Sequence, residues 1–302
     1  MAPGDVFEVD IGGLSDCYYV DTGMYGVPEY GSVYVLDGDR PALVDTGIGT
    51  HHDRVLAALE ELGIAREDLA TLAVTHVHLD HAGGAGFLAE ACENATVAVH
   101  SRGARHLVDP GRLWAGTKQA VGDQIEYYTE PEPVAEDRIR QVEDGDELDL
   151  GDRTLRVHHA PGHAPHQVVF EDPDASAVFT ADAGGIYVPA LDALEPTTPP
   201  PQFDLDLALE DVDTIEGLDP DVLCYAHFGP ADPGNRLDEY RVTLAEWVDA
   251  VREMRAELGD DEAVIDRFVE TQDIGEVWGE RKARGETAMN VRGVLAYLDH
   301  AD

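Results

Sequence analysis

Residues 75–81 read Thr-His-Val-His-Leu-Asp-His, so three imidazoles and a carboxylate fall within six consecutive positions, His76 to His81, at the end of the apolar run 69–75. Imidazole and carboxylate together suit borderline divalent cations. In an extended segment alternate residues point the same way, so His76 and His78 can share one ion while Leu79 turns elsewhere. Asp80 and His81 follow where the chain turns into the next helix, and their side chains diverge from the first pair, which suggests two ions rather than one. A closed structural zinc site takes four ligands, typically with Cys among them. A His/Asp set too large for one tetrahedron points instead to catalysis with open coordination positions.

Such a cluster lacks ligands for two ions, so other strand ends must supply them. Short apolar runs bounded by turn residues recur at 33–36, 42–44, 71–75, 96–99, 154–160, 167–170, 177–181 and 222–226 and predict buried strands. Helical patterns at 52–62, 84–92 and 204–217 alternate with them, which indicates an α/β fold. His163, Asp182 and His227 each stand just past the C-terminal end of one of these runs, where α/β folds collect ligands because a rigid strand presents a polar loop. Residues 101–146 break the rhythm and predict an inserted cap on a core domain spanning 1–234. The proline-rich stretch 195–203 predicts an extended surface segment. From 235 to 302 the pattern is a helical extension, with Leu237, Tyr240, Leu244, Trp247, Val248, Val251, Met254 and Leu258 in one apolar stripe and shorter helices near 261–271 and 286–299. Such a stripe is core or subunit interface, so a homodimer through these helices is one expectation.

The chain of 302 residues is long enough for one large domain. No apolar run approaches the ~18 residues of a membrane span, and the N-terminus has neither a basic start nor an apolar core, so a cytoplasmic location is expected. Cys17, Cys92 and Cys224 are spaced for neither a zinc ribbon nor a disulfide framework. Against 62 acids stand 20 bases, of which only Lys118 and Lys282 are lysines, for a net charge of −42. The acids are dispersed rather than gathered in a tail, so they describe an acidic surface that stays hydrated in concentrated salt. That composition resembles halophilic archaeal proteins. No Lys/Arg cluster is suited to tracking a phosphate backbone, so a small-molecule substrate is expected rather than nucleic acid.

The order and types of these residues resemble the metallo-β-lactamase fold superfamily, whose hallmark is a His-x-His-x-Asp-His run followed by His, Asp and His. The resemblance rests on Asp45 in Leu-Val-Asp-Thr-Gly, on His76, His78, Asp80 and His81, and on His163, Asp182 and His227. It implies an αβ/βα four-layer sandwich with a dimetal site at one edge. It also implies that His76, His78 and His163 hold one ion, that Asp80, His81 and His227 hold the second, that Asp182 bridges them, and that Asp45 orients a ligand imidazole from behind. Two zinc ions are expected, with iron or manganese compatible. Lactamases commonly carry Cys at the second ion, and the resemblance is nearer the glyoxalase II and lactonase branch, although Ala181 stands where that branch usually has Gly. The implied activity is hydrolysis of an ester, thioester or lactone by a hydroxide held between the ions, since a water shared by two cations falls in pKa from ~15.7 towards ~7. Asp80 is expected to orient the nucleophile and relay a proton. His166 is a candidate contact to substrate or metal-bound oxygen, and Tyr187 a candidate oxyanion donor. An iron-dependent persulfide dioxygenase of the same fold is an alternative, as is a non-enzymatic metal-binding protein. His158 and His159 predict one buried and one exposed strand residue, His100 a strand end, and His51, His52, His106 and His300 surface positions. Arg281, Lys282 and Arg284 predict a solvated helix face that could meet the carboxylates of a thiol conjugate. Specificity is expected from 101–146, 183–203 and the C-terminal helices.

Overall fold

A computed structural model describes residues 2–301. The first sheet contains, in spatial order, β1 (Val6–Glu8), β2 (Cys17–Asp21), β3 (Ser32–Leu36), β4 (Ala42–Val44), β5 (Thr71–Ala73), β6 (Thr96–His100) and β7 (Ile139–Val142). Pairing is antiparallel from β1 to β4 and parallel from β4 to β7. The second sheet holds β8 (Glu147–Asp149), β9 (Thr154–His159), β10 (Val168–Asp172) and β11 (Ala177–Ala181). A separate hairpin, β12 (Ile186–Val188) and β13 (Ala193–Glu195), comes before β14 (Val222–Tyr225) and β15 (Gly229–Ala231), which complete that sheet beside β11.

Parallel neighbours need crossovers, and helices provide them. α1 (His52–Glu61) links β4 to β5, and α2 (Leu79–Ala82) with α3 (Ala85–Ala91) links β5 to β6. α4 (Ser101–Val108) and α5 (Gly111–Val121) lead towards β7, and α6 (Leu205–Gly217) precedes β14. Asp204 starts α6 by accepting the Leu207 N–H at 3.1 Å, an N-cap that satisfies one free donor. The chain ends in α7 (Arg236–Leu258), α8 (Asp261–Thr271), α9 (Gly275–Trp278) and α10 (Glu280–Ala301).

Side-chain alternation sorts the strands into four layers. Tyr34, Leu36, Ala42, Val44 and Ala73 face Leu155, Val157, Phe170 and Phe179 between the two sheets. The other face of the first sheet presents Val35, Leu43 and Leu72 to α1, α3 and α4. The outer face of the second sheet presents Val169, Val178, Leu223 and Tyr225 to α6, α7, α8 and α10. This is the αβ/βα sandwich with a C-terminal helical segment. No helix among the described residues is long and apolar enough to cross a membrane.

Three expectations are corrected. The interval 101–146 is not all cap: Ala104 and Leu107 of α4 are buried against the first sheet, and Ile139–Val142 is its seventh strand, missed because Arg140 and Gln141 face solvent. The segment 195–203 does not run over the surface. Thr197 and Thr198 are buried beneath α10, where Asn290 Oδ1 accepts the Thr198 N–H at 2.7 Å and a Cβ on Gly293 would collide with the Thr198 carbonyl. The basic group on α10 is a solvated face only in part: Arg281 and Arg284 are exposed, whereas Lys282 is buried, bonded to Glu286 Oε2 at 2.6 Å and set over the rings of Tyr25 and Tyr30. Arg281 is paired with Glu126. The apolar stripe of α7 lies within the chain's own core, among residues of α6, α8, α10 and the second sheet.

Candidate metal centre

The centre forms where strand ends of both sheets meet. Asp45 follows β4, the 76–81 run follows β5, and His163, Asp182 and His227 follow β9, β11 and β14. His76, His81, His163, Asp182 and His227 are buried, while Asp80 and His78 are partly open to a cavity. The donors fall into three groups, each with its ligand atoms within 4.8 Å of one another: His76, His78 and His163; His76, His81 and Asp182; and Asp80, His81 and His227. Asp182 touches both ends, with its carboxylate 3.0 Å from His81 Nε2, 3.2 Å from His163 Nε2 and 3.6 Å from His227 Nε2.

Each imidazole but that of His78 is held from behind, which fixes its tautomer. His227 Nδ1–H donates to the Tyr30 carbonyl at 2.9 Å, and His163 Nδ1–H to the Thr197 carbonyl at 3.3 Å. His81 Nδ1–H donates to Asp45 Oδ2 at 2.8 Å. Asp45 also accepts the Thr75 N–H at 2.8 Å and the Thr75 hydroxyl at 2.9 Å, and with that proton committed the Thr75 oxygen accepts from His76 Nδ1 at 3.2 Å. One carboxylate therefore orients two imidazoles. Its backbone lies at φ 62°, a left-handed turn that Asp tolerates better than most residues and that folds the side chain under Thr75.

Lone pairs are thereby aimed at one another. His81 Nε2 and His227 Nε2 are 3.2 Å apart, and His78 Nδ1 is 3.1 Å from His76 Nε2 and 2.9 Å from His163 Nε2. Ligand atoms of a tetrahedral zinc with bonds of ~2.1 Å are roughly 3.4 Å apart, so this spacing fits nitrogen donors around a shared cation. Asp182 Oδ1 is buried without a hydrogen-bond donor. The donor set thus fits divalent cations.

The protonation tendencies agree. Burial, with His81 and the other rings adding, holds His76 well below the usual imidazole value, and burial with His163 beside it pushes His78 down to about 4. Burial lowers His163 too, against the pull of Asp182. At His81 burial is outweighed by Asp182 and then Asp45, which raise it well above the ordinary value, so a proton and a cation compete for this ring. Burial of Asp182 and Asp80 is outweighed by histidines, His163 first for Asp182 and His81 first for Asp80, and both carboxyls are lowered.

In front of the centre lies a cavity of about 450 Å³ whose wall includes His78, Asp80, Asp182, Tyr128, Glu286 and Arg112. His166 lies in this wall, its ring centroid 5.8 Å from that of His78, outside the ligand groups. Its Nδ1 is buried and unpartnered, and burial, with His78 adding, pushes it down to about 2, so it stands as a neutral imidazole facing the cavity.

The placing of Tyr187 at the reacting centre is corrected. Its hydroxyl donates to Asp192 Oδ1 at 3.0 Å and its ring stacks on Tyr225, because β12 turns it outward. The tyrosines that reach the cavity are Tyr30 and Tyr128, the latter hydroxyl-bonded to Tyr25. Only the fold brings them there, and no local motif marks them. His106 was expected at the surface but also lines the cavity. His158 pairs with Glu171 at 2.8 Å, His159 stacks on His100, and His52 stacks on Phe87, so these rings are spoken for.

The family model described as "Metallo-beta-lactamase superfamily" matches residues 26–227. The chain is 29% identical to the metallo-beta-lactamase fold-containing protein ST1585 of Sulfurisphaera tokodaii over 71% of this chain and 78% of that one. The solved structure of ST1585 superimposes with a TM-score of 0.69 at 25% identity, covering 98% of this chain and 99% of that one. The chain is 28% identical to the acyl-coenzyme A thioesterase MBLAC2 of Gallus gallus over 56% of this chain and 62% of that protein. It is 31% identical to a hydroxyacylglutathione hydrolase of Rhodopseudomonas palustris over 46% of this chain and 44% of that enzyme.

Proposed function

Since this chain belongs to the metallo-beta-lactamase superfamily, we propose that its His/Asp centre holds two divalent cations, zinc by the character of its donors, and hydrolyses a thioester or related ester, lactones included. The carrying observation is the convergence of back-held imidazole lone pairs on Asp182, open on one side to a cavity of small-molecule size. Similarity to a thioesterase and to a hydroxyacylglutathione hydrolase supports the choice of bond.

His76, His78 and His163 would hold one ion and Asp80, His81 and His227 the other, with Asp182 between them. When bound, the ions supply Lewis acidity and an acidified water. The protein's own residues do the rest. Asp45 keeps His81 and, through Thr75, His76 in the tautomers that ligate. Asp80 stays ionised at the cavity edge, able to orient a water and accept its proton. His166 offers a neutral N–H or lone pair to a polar group of the substrate, and the apolar walls exclude bulk water, which strengthens each of these contacts. The dispersed acidic surface supports a cytoplasm rich in salt as the working environment.

The test is metal analysis of protein purified in high salt, together with turnover of thioesters, lactones and persulfides. Two zinc ions per chain with thioester or lactone turnover, both lost in Asp182→Ala, are expected. An Asp182→Ala protein that keeps its metal and its turnover overturns the proposal, and one iron per chain with oxygen uptake transfers the centre to persulfide oxidation.

A further inference from the structure

In a chain of net charge −42, residues 101–121 hold four of the 20 bases and one of the 62 acids. A second stretch, 281–298, is also locally positive, but its first three cations are engaged: Arg281 by Glu126, Lys282 by Glu286 and Arg284 by the Val269 carbonyl. The cations of 101–121 sit on α4 and α5, next to the cavity in front of the metal centre. α5 is an unusual helix in this molecule, since none of its side chains is buried. Arg112, Gly116 and Ala120 are spaced four apart on one face, and all three line the cavity. Glycine weakens a helix interior. At Gly116 nothing lies within 4 Å of where a Cβ would stand, so the missing side chain leaves a notch in the cavity wall.

Arg112, at the head of this face, is exposed and, among the described residues, makes no ion pair of the kind that occupies Arg40, Arg236, Arg241 and Arg255. The wall continues inward from α5 to His106 on α4, then to His166 at a ring separation of 6.4 Å, then to His78 at 5.8 Å. A guanidinium thus stands at the outer end of a path that ends at the metal ligands, and among side chains it is the best suited to a planar oxyanion. The location has an electrostatic reason. A strongly acidic molecule repels anions at low salt, and at the ~3 Å Debye length of 1 M salt, where that repulsion is screened, only a cation in near contact can hold one.

We infer that the cavity receives an acyl conjugate bearing a carboxylate or phosphate remote from the carbonyl to be cleaved, and that Arg112 binds this anion while the notch at Gly116 admits the body of the conjugate. The inference rests on the hydrolase reading above for the carbonyl, but not for the anion. Two measurements keep the two apart. The first is calorimetric binding of glutarate to metal-loaded protein. Glutarate is expected to bind about tenfold more weakly to Arg112→Gln than to wild type, with Arg112→Lys restoring most of the loss and Arg252→Gln, which pairs with the exposed Asp249 and is not part of the cavity wall, changing nothing. Equal affinity in wild type and Arg112→Gln, or no binding at all, overturns the inference. The second compares kcat/KM within two matched pairs: glutaryl against pentanoyl thioesters of 2-mercaptoethanol, and acetyl thioesters of 3-mercaptopropionate against 2-mercaptoethanol. One pair is expected to favour its anionic member by about tenfold, and Arg112→Gln to bring that ratio towards one. Turnover without such a preference overturns the anion site and leaves the hydrolase standing. Arg112-dependent glutarate binding with no turnover of any thioester does the reverse.

Discussion

Asp45 shows how much a single side chain can govern. Its carboxylate takes three protons' worth of hydrogen bonding, from the Thr75 amide, the Thr75 hydroxyl and His81, and so sets the direction of two ligand imidazoles it never shares an ion with. In Asp45→Asn the amide N–H₂ would face either the His81 or the Thr75 donor, setting donor against donor. We expect cation affinity to fall by about 10–100-fold, measured by competition with a chromophoric chelator, with little change in the far-ultraviolet circular dichroism. The donor cluster was legible in the sequence because a metal-binding centre demands particular side-chain types at particular strand ends, and the structure brings those side chains together. Tyr187 was not, because its distance along the chain from Asp182 says nothing of the outward turn that β12 imposes. The departure at Ala181 has its meaning in the backbone: the residue lies at φ 49°, a left-handed conformation in which Gly carries no Cβ penalty and Ala does.

Among the elements, α6 illustrates how a helix can carry a ligand loop. Gly162, just before His163, is pressed against α6 so closely that a Cβ would meet the Ala208 nitrogen at 2.2 Å, and its N–H donates to Asp211 Oδ2 at 2.7 Å. Burial, only partly offset by that N–H, pushes Asp211 up to about 7. An unfolded Asp releases its proton near ~3.9, so between there and about 7 the folded state binds more protons and stability falls as pH rises. Asp211→Asn should abolish this contribution, remaining close to wild type near pH 4 and exceeding it by roughly 4 kcal/mol at pH 8 in urea denaturation. The long helices and the fully buried strands declared themselves through periodicity. β7 and β8 did not, since half-exposed edge strands of three or four residues carry too few apolar positions to register. The proline-rich 195–203 segment misled for a different reason. Its composition describes a chain without regular structure, but its burial depends on Asn290, some ninety residues away.

For the whole molecule, 62 acids on one fold must repel one another unless counterions intervene. Raising KCl from 0.1 to 3 M shortens the Debye length from ~10 Å to under ~3 Å and should raise the melting temperature by about 10 °C or more in differential scanning calorimetry. A melting temperature that is flat or falling with salt would contradict the high-salt working environment proposed above. The positions flanking the centre have a mechanical meaning as well. His76, His78, Asp80 and His81 hang from the first sheet, whereas His163, Asp182 and His227 hang from the second. Cations gripped by both would act as a clasp across the two covers of a book, resisting their parting at that rim. Loading at a thousand times the dissociation constant is worth ~4 kcal/mol of folding free energy per independent site. Chelation should therefore soften the sandwich as a whole, and unfolding by heat or cleavage by protease would begin where the clasp had been.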